Sequence, residues 1–189
     1  MVKPLGYLAL VLSLALSACS HPLGVTKTGN AQDGEVRSTG YQLQQRPVRQ
    51  LGQRWTALES DISRLINEER TKAGLAPLTV TNPLYNVARW HSFNMYYQNN
   101  LSHELDGKGV TERLSAAGIA SNWRGENIYQ ASQPFETVAN RVLYNPTVGW
   151  MNSPRHRENV LSPNFHRMGV GAYYNTRTKQ WFITTVFTD

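Results

Sequence analysis

The stretch MGVGAYYNTRTKQWFITTVF, residues 168–187, decides the fold class because it predicts a β-hairpin at the end of the chain. The polar segment 175–179 separates two runs in which apolar side chains mostly occupy every second position, as expected for strands that are joined by a turn. These positions are Met168, Val170, Ala172 and Tyr174 before the turn, and Trp181, Ile183, Thr185 and Phe187 after it.

Helices are predicted ahead of this hairpin. Residues at helical spacing form one apolar stripe from Leu58 to Ala73, and Gly74 is the expected C-terminal stop. Asn82 and Pro83 predict the start of a second helix that ends near residue 99. A short helix over 112–117, a short strand over 127–131 and a helix from 135 that Pro146 disturbs should follow. Helices first and strands last predict an α+β domain.

Composition limits the classes of protein that remain. The 189 residues suit one ordinary domain, and 40% apolar and 10% aromatic residues exclude global disorder. A single cysteine excludes an intrachain disulfide and a cysteine-only zinc cluster. The net charge of +6 is spread along the chain, so we expect no specific nucleic-acid partner. We expect a monomer.

The N-terminus predicts export. Lys3 precedes the apolar run 5–16, which is too short to span a membrane comfortably, so residues 1–18 are identified as a signal peptide. The tetrad Leu16-Ser17-Ala18-Cys19 resembles the lipobox of bacterial lipoproteins. That resemblance implies acylation of Cys19, attachment to the membrane and, with Ser20 following, sorting to the outer membrane. The alternative is an ordinary cleaved signal with an unrelated cysteine.

Residues 19–50 are predicted to be the acylated cysteine and a flexible tether. This segment is polar, contains few large apolar residues and has no sustained periodicity. The folded domain is expected over residues 51–189.

Three segments of that domain occur in a specific order and spacing. They are LINEER (65–70) running into AGL (73–75); LSH (101–103) with GENI (125–128); and WMNSPRHRENVL (150–161) leading to MGVG (168–171). Together they resemble the CAP superfamily of cysteine-rich secretory, antigen 5 and pathogenesis-related proteins, and are most similar to its bacterial, disulfide-free branch. The resemblance implies a three-layer α-β-α sandwich with a small central antiparallel sheet and a cleft on one face.

The resemblance also implies a candidate metal site. His103, Glu126 and His156 match family residues that can hold a divalent metal such as Zn²⁺, whereas Ser153 stands where eukaryotic members carry a second acid. Two imidazoles and a carboxylate are also the ligand set of several catalytic zinc sites. These three lie far apart in the sequence, so spacing alone cannot bring them together. Each also has a structural explanation: His103 as a helix cap, Glu126 as an acceptor of backbone amides, and His156 in a first helical turn.

Other conspicuous residues favour structural roles. His91 shares the apolar face of the second helix, so we expect a hydrogen-bonded core histidine. The glycines of MGVG are expected where a strand is closely packed. Tryptophans are expected in the core, although Trp123, together with Asn127 and Ser153, could line the cleft.

The leading functional hypothesis is a lipid-anchored envelope protein without enzymatic activity. Its cleft would bind a small apolar or anionic ligand, with a divalent metal as the cofactor that the resemblance implies. One alternative is a metal-dependent hydrolase of peptides, esters or nucleic acids, with Glu126 as general base. Another is a structural protein of the envelope.

Overall fold

The computed structural model describes residues 53–189, with side chains from Thr56 onward. The signal peptide 1–18, the acylation site Cys19 and the tether 19–50 lie outside the described residues, so these assignments stay predictions. Within the described part, no helix combines the length and apolar character needed to cross a membrane.

Helices and strands follow the predicted order, with two additions. The elements are α1 (Gln53–Lys72), β1 (Thr79–Val80), α2 (Asn82–Gln98), α3 (Val110–Ala116), β2 (Arg124–Ala131), α4 (Phe135–Tyr144), α5 (Pro154–Val160), β3 (Arg167–Asn175) and β4 (Gln180–Thr188). The strand β1 is one addition, and the other is the seven-residue helix α5, which the sequence indicated only as a first helical turn around His156. The N-cap of α2 is Thr81, one residue earlier than predicted, and Gly74 has the left-handed φ of +74° that favours glycine after a helix.

The four strands form one mixed sheet in the order β1-β3-β4-β2. The predicted hairpin is confirmed, since β3 and β4 pair antiparallel from Arg167↔Thr188 to Asn175↔Gln180. β2 also pairs antiparallel with β4, whereas the two-residue β1 runs parallel to β3. A two-residue strand offers no alternation to detect, which is why the sequence did not predict β1. β2 forms one edge of the sheet.

Strand alternation divides the core into two layers of helices around this sheet. On one face, α1, α4 and α5 cover Val170, Trp181 and Ile183. On the other face, α2 and α3 cover Val186, and α2 also covers Phe182. The α+β class and the three-layer sandwich are therefore confirmed.

Two glycines allow α2 to lie directly on β3. A Cβ on Gly169 would be 2.1 Å from the carbonyl carbon of Leu84, and a Cβ on Gly171 would be 2.2 Å from the backbone nitrogen of Arg89. The expectation that these glycines permit close packing is confirmed. This close approach also fixes the position of α2, which carries His91.

The LINEER segment has a structural role at the end of α1. Arg70 is 2% exposed and donates hydrogen bonds to the backbone oxygens of Val160, Ser162 and Phe165. Asn67 exchanges two hydrogen bonds with the backbone of Leu78. These contacts satisfy buried carbonyls and hold the chain that links α5 to β3.

The WMNSPRHRENVL segment covers the free edge of β2. The indole Nε1 of the fully buried Trp150 donates to the backbone oxygen of Ile128 at 3.2 Å. The amide of Asn159 donates to the backbone oxygen of Glu126 at 3.3 Å. Because an uncovered strand edge exposes unpaired backbone groups, these side chains protect β2. Trp123 departs from the expectation of a core tryptophan: it is 56% exposed, because it lies in the turn that precedes β2.

Candidate functional site

Glu126 is the centre of the candidate site. It belongs to β2, faces the layer of α2 and α3, and its side chain is only 3% exposed. Its Oε1 lies 2.9 Å from Nδ1 of His103, and its Oε2 accepts a hydrogen bond from Nη2 of Arg113. Burial raises the pKa of Glu126, but the hydrogen bond from His103, the electrostatic interaction with His91, and the positive charge and hydrogen bond of Arg113 together outweigh burial. The pKa of Glu126 therefore lies below its ordinary value, and the carboxylate is ionised at neutral pH.

Arg113 is the site residue that sequence reasoning missed. It belongs to α3, is 6% exposed, and donates from Nη1 to the backbone oxygens of His103 at 3.1 Å and Lys108 at 2.7 Å. A buried guanidinium is stable only when its charge is compensated, and Glu126 provides that compensation. Nothing in the short α3 segment distinguishes this arginine from a solvated one, so no pattern in the sequence could have identified it.

His91 is a hydrogen-bonded core histidine, as expected, but it also contacts the site. It is fully buried in α2, with Nε2 at 2.9 Å from the backbone oxygen of Ser102 and 3.7 Å from Oε1 of Glu126. Burial is the main cause that lowers the pKa of His91 to about 4. The imidazole is therefore neutral at pH 7.

His103 is the exposed member of the network. Its side chain is 57% exposed, yet its Nδ1 is held by the buried carboxylate of Glu126. Because the carboxylate accepts, Nδ1 carries the proton, and Nε2 on the other side of the ring is left to contact a ligand. A carboxylate on Nδ1 also sets the tautomer and the orientation of the ring.

His156 reaches the same edge of the sheet from the opposite layer. Asn127 follows Glu126 in β2 and therefore faces the other side, where its amide donates to the backbone oxygen of His156 at 3.0 Å. Asn159 donates to Oδ1 of Asn127 at 2.8 Å. Burial and the charge of His103 lower the pKa of His156, and its Nδ1 is buried with no hydrogen-bond partner among the described residues. The structure thus brings the side chains of His103 and Glu126 together, while His156 is tied to β2 through its backbone and is near enough to His103 for the two imidazoles to interact electrostatically.

The predicted cleft residues have different surroundings. Asn127 is fully buried and connects β2 to α5, whereas Ser153 is the N-cap of α5 and is half-buried. Trp123 is exposed, and its backbone hydrogen-bonds to Asp189. Contact of these three side chains with a ligand stays a prediction.

The residues present fit a divalent cation poorly. Both oxygens of Glu126 already have partners, and one of these is the permanent positive charge of Arg113. Across residues 53–189, no group of three or more His, Cys, Asp or Glu side chains is arranged to hold a metal ion. The Zn²⁺ assignment therefore stays a prediction.

A surface depression of about 490 Å³ lies along α3 and the loop that leads to β2. Apolar side chains of Leu114 and Ile119 line it together with the exposed Arg124. The Oγ of Ser121, also in the lining, is buried and has no hydrogen-bond partner among the described residues. The depression therefore combines apolar surface with a cation.

Comparisons with known proteins agree with this fold. The family model described as the cysteine-rich secretory protein family, CAP, matches residues 63–187. The chain is 35% identical over 117 residues to YkwD of Bacillus subtilis (strain 168), a match that covers 61% of this chain and 42% of that protein. Thus the chain spans well under half the length of this relative.

Solved structures show the same similarity. An extracellular protein of Bacillus anthracis containing a SCP domain superposes with a TM-score of 0.59 and 30% identity, over 71% of this chain and 41% of that one. An outer surface protein of Borrelia burgdorferi superposes with a TM-score of 0.58 over 67% of this chain and 88% of that one, and its 20% identity supports the fold alone. Since the family model matches more than half of the chain and the fold agrees, the chain belongs to the cysteine-rich secretory protein (CAP) family.

Proposed function

We propose that the protein is an exported, lipid-anchored envelope protein whose CAP domain binds a small ligand with an anionic group. The observation that carries this proposal is the exposed His103, held in place from below by the buried Glu126–Arg113 pair. A rigidly supported but exposed hydrogen-bonding side chain suits recognition, because little conformational entropy is lost when a ligand binds.

The depression along α3 suggests what else the ligand carries. Leu114 and Ile119 favour an apolar portion, whereas the exposed Arg124 favours an anionic group. α3 links this depression to the site, because the same helix contributes Arg113. A short fatty acid has both chemical features.

Export and anchoring rest on the N-terminal sequence and on one relative. The lipobox-like tetrad 16–19 supports acylation of Cys19, and the extracellular protein of Bacillus anthracis supports export. Several acyl chains anchor a protein stably where a single chain would be marginal. The outer membrane is the proposed location.

Binding without catalysis is favoured by the state of Glu126. A general base needs access to the proton it removes and a pKa near the working pH, whereas the carboxylate of Glu126 is 3% exposed and its pKa is lowered. Among the hydrogen bonds of the described residues, none joins the His103 ring to a hydroxyl or thiol that could act as a nucleophile.

Calorimetric titration with three probes tests the ligand class. Decanoate combines an apolar chain with a carboxylate, decanol tests the chain alone and inorganic phosphate tests the anion alone. We expect decanoate to bind most tightly. His103→Ala should weaken it at least about tenfold, because Nε2–H of the imidazolium form donates to the decanoate carboxylate and a hydrogen bond to a charged group contributes about 1.5–3 kcal/mol.

His166→Ala is the matched control, because His166 is also exposed but lies at the entry to β3. Equal loss in both variants, or no binding of any probe by the wild type, would contradict the proposal and favour a structural role in the envelope.

The second candidate is a hydrolase, favoured by the His103–Glu126 pair itself. A carboxylate on Nδ1 orients a histidine so that its other nitrogen can accept a proton, and this would make His103 the base and Glu126 its orienting partner. Turnover of ester, peptide and nucleic-acid substrates should then be lost in His103→Ala and persist with a chelator. Turnover that a chelator abolishes would instead support the metal-dependent alternative.

A further inference from the structure

The cationic partner of Glu126 is supplied by the chain itself. A carboxylate that is 3% exposed needs a compensating charge, which a protein can supply from a side chain or from a bound cation. Here the guanidinium of Arg113 donates a hydrogen bond to Oε2, and the imidazole of His103 is hydrogen-bonded to Oε1. The ionised carboxylate and the guanidinium cancel, so the buried pair has no net charge.

Arg113 is also fixed in this position by other contacts. Its Nη1 donates to the backbone oxygens of His103 and Lys108, and its side chain is only 5% exposed. The guanidinium cannot swing into solvent without leaving two carbonyls and a buried carboxylate without their donor. A metal ion would have to displace this whole arrangement.

We infer that Arg113 occupies the place of a cation at Glu126 and keeps divalent metal ions out of the His103–Glu126 site. Removing the guanidinium leaves the buried carboxylate of Glu126 beside the imidazole of His103, and a carboxylate oxygen and an imidazole nitrogen are both ligands that zinc accepts. Because Arg113 balances the negative charge of Glu126, this site needs no metal ion for that purpose. The inference is independent of the proposed ligand.

Calorimetric titration with ZnCl₂ tests it on the full chain. The wild type should show no saturable binding below about 1 mM Zn²⁺, because Arg113 already neutralises the carboxylate that would be a ligand. Arg113→Met should bind Zn²⁺ at least about tenfold more tightly, because one positive charge is removed from the immediate surroundings of a doubly charged ion. Adding His103→Ala to Arg113→Met should abolish the gain, and Arg141→Met, an exposed change on α4, should not produce it.

If Arg113→Met folds poorly, a second variant, Arg113→Gln, still tests the inference. Arg113→Gln retains a donor for the carbonyls of His103 and Lys108, and its melting temperature is measured with and without Zn²⁺. A metal-dependent rise in melting temperature supports the inference. Saturable Zn²⁺ binding by the wild type that His103→Ala removes would overturn it. So would Met and Gln variants that fold but respond to Zn²⁺ no more than the wild type.

Discussion

Breaking the buried Arg113–Glu126 pair should destabilise the domain strongly. Arg113→Met keeps similar bulk but removes the charge and two hydrogen bonds to backbone oxygens, and it leaves the ionised Glu126 buried. Loss of one partner from a buried ion pair costs about 3–5 kcal/mol. This is a large part of the roughly 5–15 kcal/mol by which domains are stable.

The double variant Arg113→Met/Glu126→Gln isolates the pair from the rest of the change. It removes both charges while the Gln amide can still contact His103, so we expect it to be more stable than Arg113→Met alone. A coupling energy of about 2–3 kcal/mol should emerge from the double-mutant cycle.

Urea unfolding followed by circular dichroism measures these differences, provided that the slopes remain equal among the variants. Arg64→Met is the control, because Arg64 forms exposed contacts with Glu68 and Asp61 on the surface of α1, and we expect no resolvable change. Additive effects of Arg113→Met and Glu126→Gln would refute the reasoning, since independent residues show no coupling.

Three further predictions concern packing, pH and anchoring. Gly169→Ala should lower the free energy of unfolding by about 1–3 kcal/mol or more, because its Cβ would meet the backbone of Leu84 at 2.1 Å. Gly74 has open space around the position of a Cβ but a φ of +74°, so Gly74→Ala should lower the free energy of unfolding by less than Gly169→Ala does in the same experiment. The reverse order would contradict the packing explanation. The folded pKa of His91 is about 4, below its ordinary 6.5, so its contribution to stability is fully present above pH 6.5 and is lost as pH falls towards 4. The loss should amount to about 3 kcal/mol between pH 7 and pH 4, and His91→Gln should show a flatter pH dependence of unfolding; an unchanged dependence would exclude His91 as its source. Cys19→Ser should abolish acyl labelling and most membrane retention after a high-salt wash, because each buried acyl methylene contributes about 0.8 kcal/mol, and equal retention of both proteins would rule out the lipid anchor.

The candidate site was only partly accessible from sequence. The resemblance to the CAP family directed attention to His103 and Glu126, and the structure places their side chains 2.9 Å apart. His156 was expected beside them; its backbone oxygen accepts a hydrogen bond from Asn127, and its membership of a shared site stays a prediction. Arg113 was not expected at all, because its partner lies on a different element and the helix that carries it has no distinguishing pattern.

The sequence by itself determined the α+β class, the positions of the main helices and the terminal hairpin, because periodicity and turn residues are local properties of the chain. The glycines at 169 and 171 also indicated a closely packed strand, and the structure shows that α2 is the element packed against it. Only the tertiary structure decided which charges meet at Glu126. Close packing of α2 and α3 on one face of β2 brings a neutral His91 and a cationic Arg113 to the same carboxylate, and contacts between distant segments have no period that a sequence could reveal.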